Sequence, residues 1–244
     1  MLNNFFRFLR IILFSFSTFC CESPKSTSGD IGPPILPEQQ LNAAFLIVEG
    51  VYNSELIAPM DVLHHTVFQT DKGIRVFTVA QVRDTLTTFE GLKIIPDYSF
   101  VTDSLPPIDI LIVPSAQQSM DADLGNIPLL DFVRETGHKA AYVISLCDGA
   151  FVLAKAGLLE LQECTTFPDD IAKFRLAFPQ LKLHENVSFV HDRKMITSAG
   201  GAKSYDAALY LVELLYGKKA AVGIASGLVI DWDVSKVSAA YANK

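Results

Sequence analysis

The sequence has little cysteine and little excess charge of either sign. Only four cysteines occur in 244 residues, and two of them, Cys20 and Cys21, lie close to the start of the chain. Cys147 and Cys164 are too few for a disulfide framework, so they either pair once or leave a free thiol for chemistry. Lys and Arg number 20 against 27 Asp and Glu, without long runs of one sign. This balance predicts a small-molecule partner and no nucleic acid.

The sequence also lacks an apolar run long enough to cross a bilayer. Arg7 and Arg10 precede an uncharged apolar run over residues 11–19, about half of the roughly 20 residues that a spanning helix needs. A basic start, a short apolar stretch and small polar residues near its end are typical of a secretory signal peptide. We therefore predict a signal peptide over residues 1–20 and export to the cell envelope.

Cys20 and Cys21 resemble the lipid acceptor of a bacterial lipoprotein signal. Cys21 is the better candidate because the residue before it is small, whereas Phe19, before Cys20, is bulky. Thr18 stands where such signals carry an aliphatic residue, so a plain secretory signal is the alternative. Residues 21–40 are rich in Ser, Pro and Gly, which predicts a flexible tether. A lipid anchor at Cys21 would hold the domain at a membrane, facing the periplasm or the exterior.

No motif for a nucleotide or a metal is present. The sequence contains no glycine-rich phosphate loop, no Cys-x-x-Cys and no His-Glu-x-x-His. His64 and His65 are adjacent, and adjacent residues of a helix point to different faces. We expect no cofactor and no metal.

Residues 41–244 alternate short runs rich in Val and Ile with stretches of helical period, which is typical of a parallel sheet built from β-α units. The predicted strands are residues 43–48, 74–80, 108–114 and 140–146. Helices are predicted from Asn53 or Ser54, over 126–137, over 170–178, over 204–217 and over 218–231, and hairpins over 87–98 and 188–198. The segment around Trp232 fits either a terminal strand or a dimer contact.

The most informative place is the end of the fourth predicted strand. Cys147 ends that strand, and Gly149 and Ala150 follow at once to open an apolar helix. A nucleophile at such a joint is held in a tight backbone conformation and points into the crevice at the carboxyl ends of the strands. The helix N-terminus would lower the pKa of Cys147 below its reference value of about 8.5. The alternative is a buried cysteine that only packs.

The segment SLCDGAFVLAKAGLL resembles the nucleophile elbow of the ThiJ/PfpI superfamily, the class I glutamine amidotransferase-like proteins. The stretches EGVYNSELIAPMDVLHHT, IDILIVPSA and MITSAGGAKSYDAALYLVELLYG match this family in order, so the resemblance covers nearly the whole domain. It implies a flavodoxin-like, doubly wound, mostly parallel sheet between helices, and a homodimer. It also implies that Cys147 is the nucleophile and that Glu55 is the acid hydrogen-bonded to it.

The physics of the predicted crevice agrees with this role for Glu55. A carboxyl in an apolar crevice beside a thiolate would have a raised pKa and could donate a proton near neutrality. We expect the Glu55 carboxylate within hydrogen-bond reach of the Cys147 sulfur. The alternative is that Glu55 only stabilises the first turn of its helix. A nucleophilic Cys147 would also not pair with Cys164.

Two departures from the family pattern matter. Thr165, Thr166 and Phe167 stand where many members have Thr-Thr-His, so the usual Cys-His dyad is missing and peptidase or glutaminase chemistry is disfavoured. We expect the five histidines at the surface or at an interface. Ser115 and Ala116 replace a Gly-Gly pair that can lend a backbone N–H to an oxyanion.

The resulting expectation for the site is specific. The catalytic residues are Cys147 and Glu55, and the binding residues are Asp148, Gly149, Ser115, Ala116 and Phe167. The favoured function is a Cys-dependent hydratase, lyase or hydrolase that acts on a small isocyanide- or glyoxal-like electrophile. The alternative is a non-catalytic binding or redox-sensing module, in which Cys147 oxidises to a sulfinate.

Overall fold

The computed structural model describes residues 31–242. The predicted signal peptide, Cys20, Cys21 and the first ten residues of the predicted tether lie outside this range. The strands in it are β1 (Asn42–Leu46), β2 (Arg75–Ala80), β3 (Leu86–Thr87), β4 (Lys93–Ile94), β5 (Tyr98–Ser99), β6 (Ile110–Val113), β7 (Tyr142–Leu146), β8 (Glu163–Cys164), β9 (Lys182–Leu183), β10 (Phe189–Asp192), β11 (Met195–Ser198) and β12 (Ala239–Tyr241). The helices are α1 (Asn53–His64), α2 (Ile127–Lys139), α3 (Gly149–Lys155), α4 (Ile171–Ala177), α5 (Lys203–Tyr216) and α6 (Lys218–Gly227).

Eight of these strands form one central sheet, in the order β12-β10-β11-β7-β6-β1-β2-β5. All neighbouring strands in it are parallel except β10 and β11, which form the predicted hairpin. The four apolar runs predicted as strands are β1, β2, β6 and β7. The mostly parallel, doubly wound α/β architecture is therefore confirmed.

The helices cover both faces of the sheet, as the alternation of buried residues along β1 requires. Ala43 and Phe45 belong to the core shared with α1, α5 and α6. Ala44 and Leu46 belong to the core shared with α2, α3 and α4. A strand buried on both faces needs apolar residues at every position, which explains its continuous apolar sequence.

The hairpin predicted over residues 87–98 is smaller than expected and lies at the start of α1. Strands β3 and β4 form an antiparallel pair, while β5 leaves it and joins the edge of the central sheet beside β2. Helix α1 begins at Asn53, but the residue that precedes it, Tyr52, provides no side-chain cap. Instead, the Asn53 N–H donates to the carboxylate of Glu90 at 3.0 Å. The hairpin thus supplies the acceptor for an N–H group of α1 that a capping side chain was expected to satisfy.

Residues 31–40, predicted as part of a flexible tether, lie against the domain. The N–H groups of Ile35 and Leu36 donate to the carbonyls of Leu214 and Leu215, at 3.1 and 2.8 Å. These carbonyls are in the last turn of α5, where a helix leaves its acceptors without intrahelical partners. The segment is held there because it supplies the missing donors.

Within the described part of the chain, the segment around Trp232 is not the terminal strand, and its role as a dimer contact stays a prediction. The Trp232 side chain is buried and its indole N–H donates to the Glu213 carboxylate of α5 at 2.5 Å. The terminal strand, β12, begins seven residues later at Ala239. Over residues 31–242, no helix is both long and apolar enough to cross a membrane.

Candidate active site

Cys147 occupies the sharp turn between β7 and α3. Its φ is +53°, in the left-handed region, which costs a non-glycine residue roughly 1–2 kcal/mol. The side chain is only 8% exposed, and the backbone N–H donates to the Ser198 carbonyl of β11 at 3.0 Å. The predicted strained turn at the carboxyl end of a parallel strand is therefore present.

Two glycines allow this turn to exist. A Cβ on Gly149 would lie 2.1 Å from the carbonyl oxygen of Val113, so only glycine lets α3 start directly over the end of β6. A Cβ on Gly200 would lie 2.4 Å from the Cβ of Cys147, and Gly200 has a φ of +80°. The turn after β11 thus packs its bare backbone against the cysteine.

Glu55 is hydrogen-bonded to the glycine turn that follows β11. Its side chain is 4% exposed. The Gly201 N–H donates to its Oε1 at 2.7 Å, and the Ser204 hydroxyl donates to its Oε2 at 3.4 Å. Burial raises the pKa of Glu55 to about 7, against the effect of these two hydrogen bonds. The raised pKa predicted for this carboxyl is present, and near neutrality the group can either donate or accept a proton.

The expected hydrogen bond between Glu55 and the Cys147 sulfur is not found among the described residues. The Glu55 carboxylate acts on Cys147 through its charge, which raises the pKa of the thiol. Both of its oxygens are directed to the turn at Gly201 and to Ser204. Glu55 therefore lies beside Cys147 but is tied to the segment that packs on it.

Asp148 is the second acid beside Cys147, and its charge raises the pKa of the thiol. Asp148 is 7% exposed. The Thr166 hydroxyl contacts both the Asp148 Oδ1, at 3.0 Å, and the Cys147 carbonyl, at 3.1 Å. Burial, followed by the charge of Asp170, raises the pKa of Asp148 to about 6.

The expectation of a lowered pKa for Cys147 is wrong for this arrangement. Burial raises the pKa of the thiol, and the charges of Asp148 and Glu55 raise it further. The Ser115 hydroxyl and the Asp148 backbone N–H favour the thiolate, but their effect is smaller. Helix α3 has only seven residues, so its dipole cannot offset two buried carboxylates. The resting side chain is a thiol.

Ser115 and Ala116 follow β6 and differ in the hydrogen bonding of their polar groups. The Ser115 Oγ is completely buried and has no hydrogen-bond partner. The Ala116 N–H already donates to the Ser119 hydroxyl at 2.8 Å. The oxyanion role expected for this backbone pair therefore does not extend to the Ala116 N–H in this arrangement. Phe167 is half-buried next to Thr166, and its binding role stays a prediction.

Three residues of the site escaped the sequence reasoning: Tyr52, Thr166 and Asp170. Burial raises the pKa of Tyr52, and the charges of Cys147 and Asp148 raise it further. Its ring packs on Phe89 of the hairpin, with 4.7 Å between centroids. Tyr52 directly precedes α1, and Asp170 directly precedes α4. A polar residue just before a predicted helix was the sequence feature that could have indicated them.

The second cysteine and the histidines lie elsewhere. Cys147 and Cys164 are both free, as predicted, and Cys164 is buried with its thiol directed at the Lys182 carbonyl. His191 contradicts the expectation of surface histidines, because it is 5% exposed in β10. Its ring nitrogens contact the Tyr210 hydroxyl and the Arg193 carbonyl. Within residues 31–242, no group of three or more His, Cys, Asp or Glu side chains is arranged to hold a metal ion.

A cavity of about 480 Å³ is lined in part by Lys203 and Asp206 of α5. Pro168 and Ala199 also line it, and they are the chain neighbours of Phe167 and Gly200. Cys147 is not among the residues that line it. The crevice that was expected to have Cys147 at its floor is therefore not this cavity.

These features define a class of protein: a flavodoxin-like α/β domain with a buried cysteine at the turn between a parallel strand and a helix. In this chain a buried acid on α1 and a glycine turn after β11 accompany that cysteine. The chain belongs to the DJ-1/PfpI family, whose model matches residues 42–214.

The sequence is similar to those of several known proteins. The chain is 29% identical to an isonitrile hydratase of Pseudomonas putida over 179 residues, which are 72% of this chain and 73% of that protein. It is 26% identical to protein dj-1beta of Drosophila melanogaster over 201 residues, 79% of this chain and 98% of that protein. It is 27% identical to the HTH-type transcriptional regulator GbdR of Pseudomonas aeruginosa over 145 residues, 58% of this chain but only 37% of the regulator.

Solved structures share the fold. The crystal structure of Drosophila melanogaster DJ-1beta superposes with a TM-score of 0.66 at 23% identity, covering 80% of this chain and 100% of that one. A ThiJ/PfpI family protein from Pseudomonas syringae superposes with a TM-score of 0.67 at 26% identity, covering 86% and 84% of the two chains.

The contact between Gly200 and Cys147 can be tested by adding a methyl group. We expect Gly200→Ala to lower the free energy of unfolding by about 3 kcal/mol, because it combines a left-handed alanine with a clash against the cysteine. Gly201→Ala is the matched control: it also has a positive φ, but its Cβ meets nothing within 4 Å. It should cost about 1 kcal/mol. Urea unfolding of both variants measures the difference, and equal losses would contradict the contact.

The pKa of Glu55 makes stability depend on pH. Because the folded state holds this proton up to about pH 7 and the unfolded state releases it near the ordinary value, stability should fall as pH rises through this window. Glu55→Gln keeps the shape without the charge and should raise the free energy of unfolding at pH 8 by up to about 3 kcal/mol, with no gain near pH 4. The exposed Glu135→Gln is the control. A gain that is the same at both pH values would refute this account.

Proposed function

We propose that the protein is a Cys147-dependent hydratase, lyase or hydrolase that acts on a small electrophile of the isocyanide or glyoxal type. The observation that carries the proposal is the pairing of a buried cysteine, in a strained turn, with a buried carboxyl whose pKa of about 7 suits proton transfer at neutral pH. The isonitrile hydratase among the relatives supports the isocyanide class.

The chemistry would use two properties of the site. The Cys147 sulfur adds to the electrophilic carbon, so an S–C bond forms, the S–H bond breaks and the thiol proton passes to solvent. Glu55, whose pKa of about 7 leaves part of it protonated near neutrality, gives a proton to the substrate atom that receives the electron pair. Water then attacks the same carbon and the S–C bond breaks; the sulfur and Glu55 regain their protons from this water and from solvent. Because the site is buried, it favours small substrates.

A second candidate function is a binding or redox-sensing module. The observation that favours it is the raised pKa of Cys147, which makes the resting thiol a poor nucleophile. The match to a transcriptional regulator over 145 residues supports such a use of the same fold. In this case Cys147 would take up oxygen from peroxide to give a sulfinate.

We further propose that the mature protein is an exported homodimer held at a membrane by a lipid on Cys21. The support for export is the sequence of residues 1–21 alone, and the support for a dimer is the family resemblance. The docking of Ile35 and Leu36 on α5 would place the end of any anchor-bearing segment on that side of the domain.

The enzymatic proposal predicts turnover that depends on Cys147 and not on Cys164. Purified protein should consume either an alkyl isocyanide or methylglyoxal, and Cys147→Ser should reduce the rate to background. Cys164→Ser is the matched control, because Cys164 is also buried and free but lies in β8 and not at the turn before α3. Glu55→Gln should lower kcat by on the order of 10²-fold. If neither substrate is consumed faster than by Cys147→Ser, the sensing function is favoured.

Export predicts a covalent change at the start of the chain. Expressed in a bacterium, the full chain should partition with membranes and lack residues 1–20, with the mass of a lipid on Cys21. Cys21→Ser should release it in soluble form, whereas Cys20→Ser should not. A mature chain that begins at Met1 would refute the proposal.

A further inference from the structure

Helix α6 is followed by a residue that strains the fold without packing in it. Val229 has a φ of +58°, in the left-handed region, and its side chain is 94% exposed. Its N–H donates to the Ser226 carbonyl at 3.1 Å, and the next N–H donates to the Ala225 carbonyl at 2.8 Å. These two bonds form a Schellman C-terminus, in which glycine is usual at this position and a β-branched residue is an outlier. The Val229 side chain therefore contributes no burial that offsets its strain.

Val229 continues an exposed side of α6. Lys218, Val222 and Ser226 follow one another at intervals of four residues, which places them on one side of the helix, and Val229 comes three residues later. All four residues are exposed, and they line one groove of about 620 Å³ against residues 230–236. We call these four residues the α6 face. Exposed apolar side chains that lie together in this way mark an interaction surface.

Further exposed apolar residues border α6. Phe68 is 73% exposed, and its neighbour Gln69 lies against Gly223, where a Cβ would meet the Gln69 Oε1 at 2.3 Å. Leu36 is 62% exposed and also has a positive φ, of +51°. Its N–H is bonded to the last turn of α5, which leads directly into α6. The domain thus presents two apolar side chains in left-handed conformations, together with Phe68, around one helix.

The predicted lipid attachment point is connected to the domain beside this helix. Ile31 and Pro34 line a cavity together with Lys218, the first residue of α6. Nine residues, 22–30, separate Cys21 from Ile31, and such a length of chain spans at most about 35 Å. The domain is roughly 40 Å across, as expected for its length. A lipid on Cys21 would therefore keep the side of α6 towards a bilayer and the opposite side away from it.

The charges at the α6 face permit contact with an anionic surface. Lys218, Lys219 and Lys236 are exposed. Two acids, Asp231 and Asp233, line the same groove, and the Lys236 Nζ lies 3.7 Å from the Asp233 carboxylate. The lysines outnumber these acids by one, so attraction to anionic headgroups is weak and the apolar side chains supply most of the contact.

We infer that the α6 face, with Phe68 and Leu36, docks on the bilayer surface, and that Val229 inserts among the lipid headgroups. The inference rests on the proposed lipid anchor for the high local concentration that makes a weak contact persist, but not for the contact itself. The apolar surface of Val229 leaves water only in the docked state. A strained valine in place of glycine is thus explained by a contact outside the chain.

The test is the rate at which a water-soluble acetylating reagent modifies individual lysines of the full chain, read by mass spectrometry. The protein is measured in vesicles of phosphatidylethanolamine and phosphatidylglycerol, and Cys21→Ser protein without vesicles gives the unprotected rates. Lys218 and Lys219 should react several-fold more slowly in vesicles. Lys139 and Lys173 are the internal controls, because they are exposed on α2 and α4, which cover the other face of the sheet.

Two results of this measurement would overturn the inference. Equal rates for the four lysines in vesicles would show that the α6 face is not in contact with lipid. Protection of Lys218 and Lys219 that appears without vesicles and grows with protein concentration would show that a second copy of the chain covers the face instead.

Val229→Gly separates docking from folding. Glycine removes the strain of the left-handed position, so the melting temperature should rise by roughly 2–4 °C, whereas the protection of Lys218 and Lys219 in vesicles should be lost. Leu176→Ser is the matched control, since Leu176 is 84% exposed on α4, and it should leave the protection unchanged. Protection of the Val229→Gly protein equal to that of the wild type would exclude docking through this residue.

Failure of the anchor and failure of docking give different results. If Cys21 carries a lipid but Lys218 and Lys219 react at the unprotected rates, the anchor stands and docking is excluded. If Cys21 carries no lipid, the anchor proposal fails, and flotation of the full chain with phosphatidylglycerol vesicles at low salt measures the contact alone. Val229→Gly should then bind several-fold more weakly than the wild type, and equal binding would overturn the inference.

Discussion

The backbone contact between Cys147 and Gly200 is the constraint on which the rest of the site depends. The cysteine needs a left-handed turn to end β7 and begin α3, and the turn after β11 must approach it without a side chain. Because β7 and β11 are parallel neighbours, both turns emerge at the same edge of the sheet. The approach brings Gly201 within reach of Glu55 on α1, so one contact joins three distant parts of the sequence.

The second property of the site is the burial of acids close to one another. Cys147, Asp148 and Glu55 all have raised pKa values, for the same main reason, which is desolvation. Each charge that forms also makes the next one harder to form. The site can therefore hold protons near neutrality.

Local sequence was sufficient to place Cys147 at a turn and insufficient to identify the groups that surround it. Cys147 is recognisable because it directly follows an apolar strand, and the small residue Gly149 comes two positions after it. Glu55 was identified through family resemblance, and its raised pKa was predicted from its expected burial. Its hydrogen-bond partner was not predicted. The direction of its carboxylate depends on Gly201, which is 146 residues away. The same holds for Thr166, whose contacts cross from the strand β8 region to the turn at Cys147.

What the sequence by itself determined is the α/β sheet and the place of the cysteine within it, because both follow from periodicity and from local backbone preferences. Continuous apolar runs require strands buried on both faces, and the small residue after Cys147 requires a close approach to β6. Only the tertiary structure decided where the Glu55 carboxylate is directed, whether the thiol pKa rises or falls, and that residues 31–40 lie on α5. Those outcomes depend on desolvation and on hydrogen bonds between groups far apart in the chain, which no local pattern encodes.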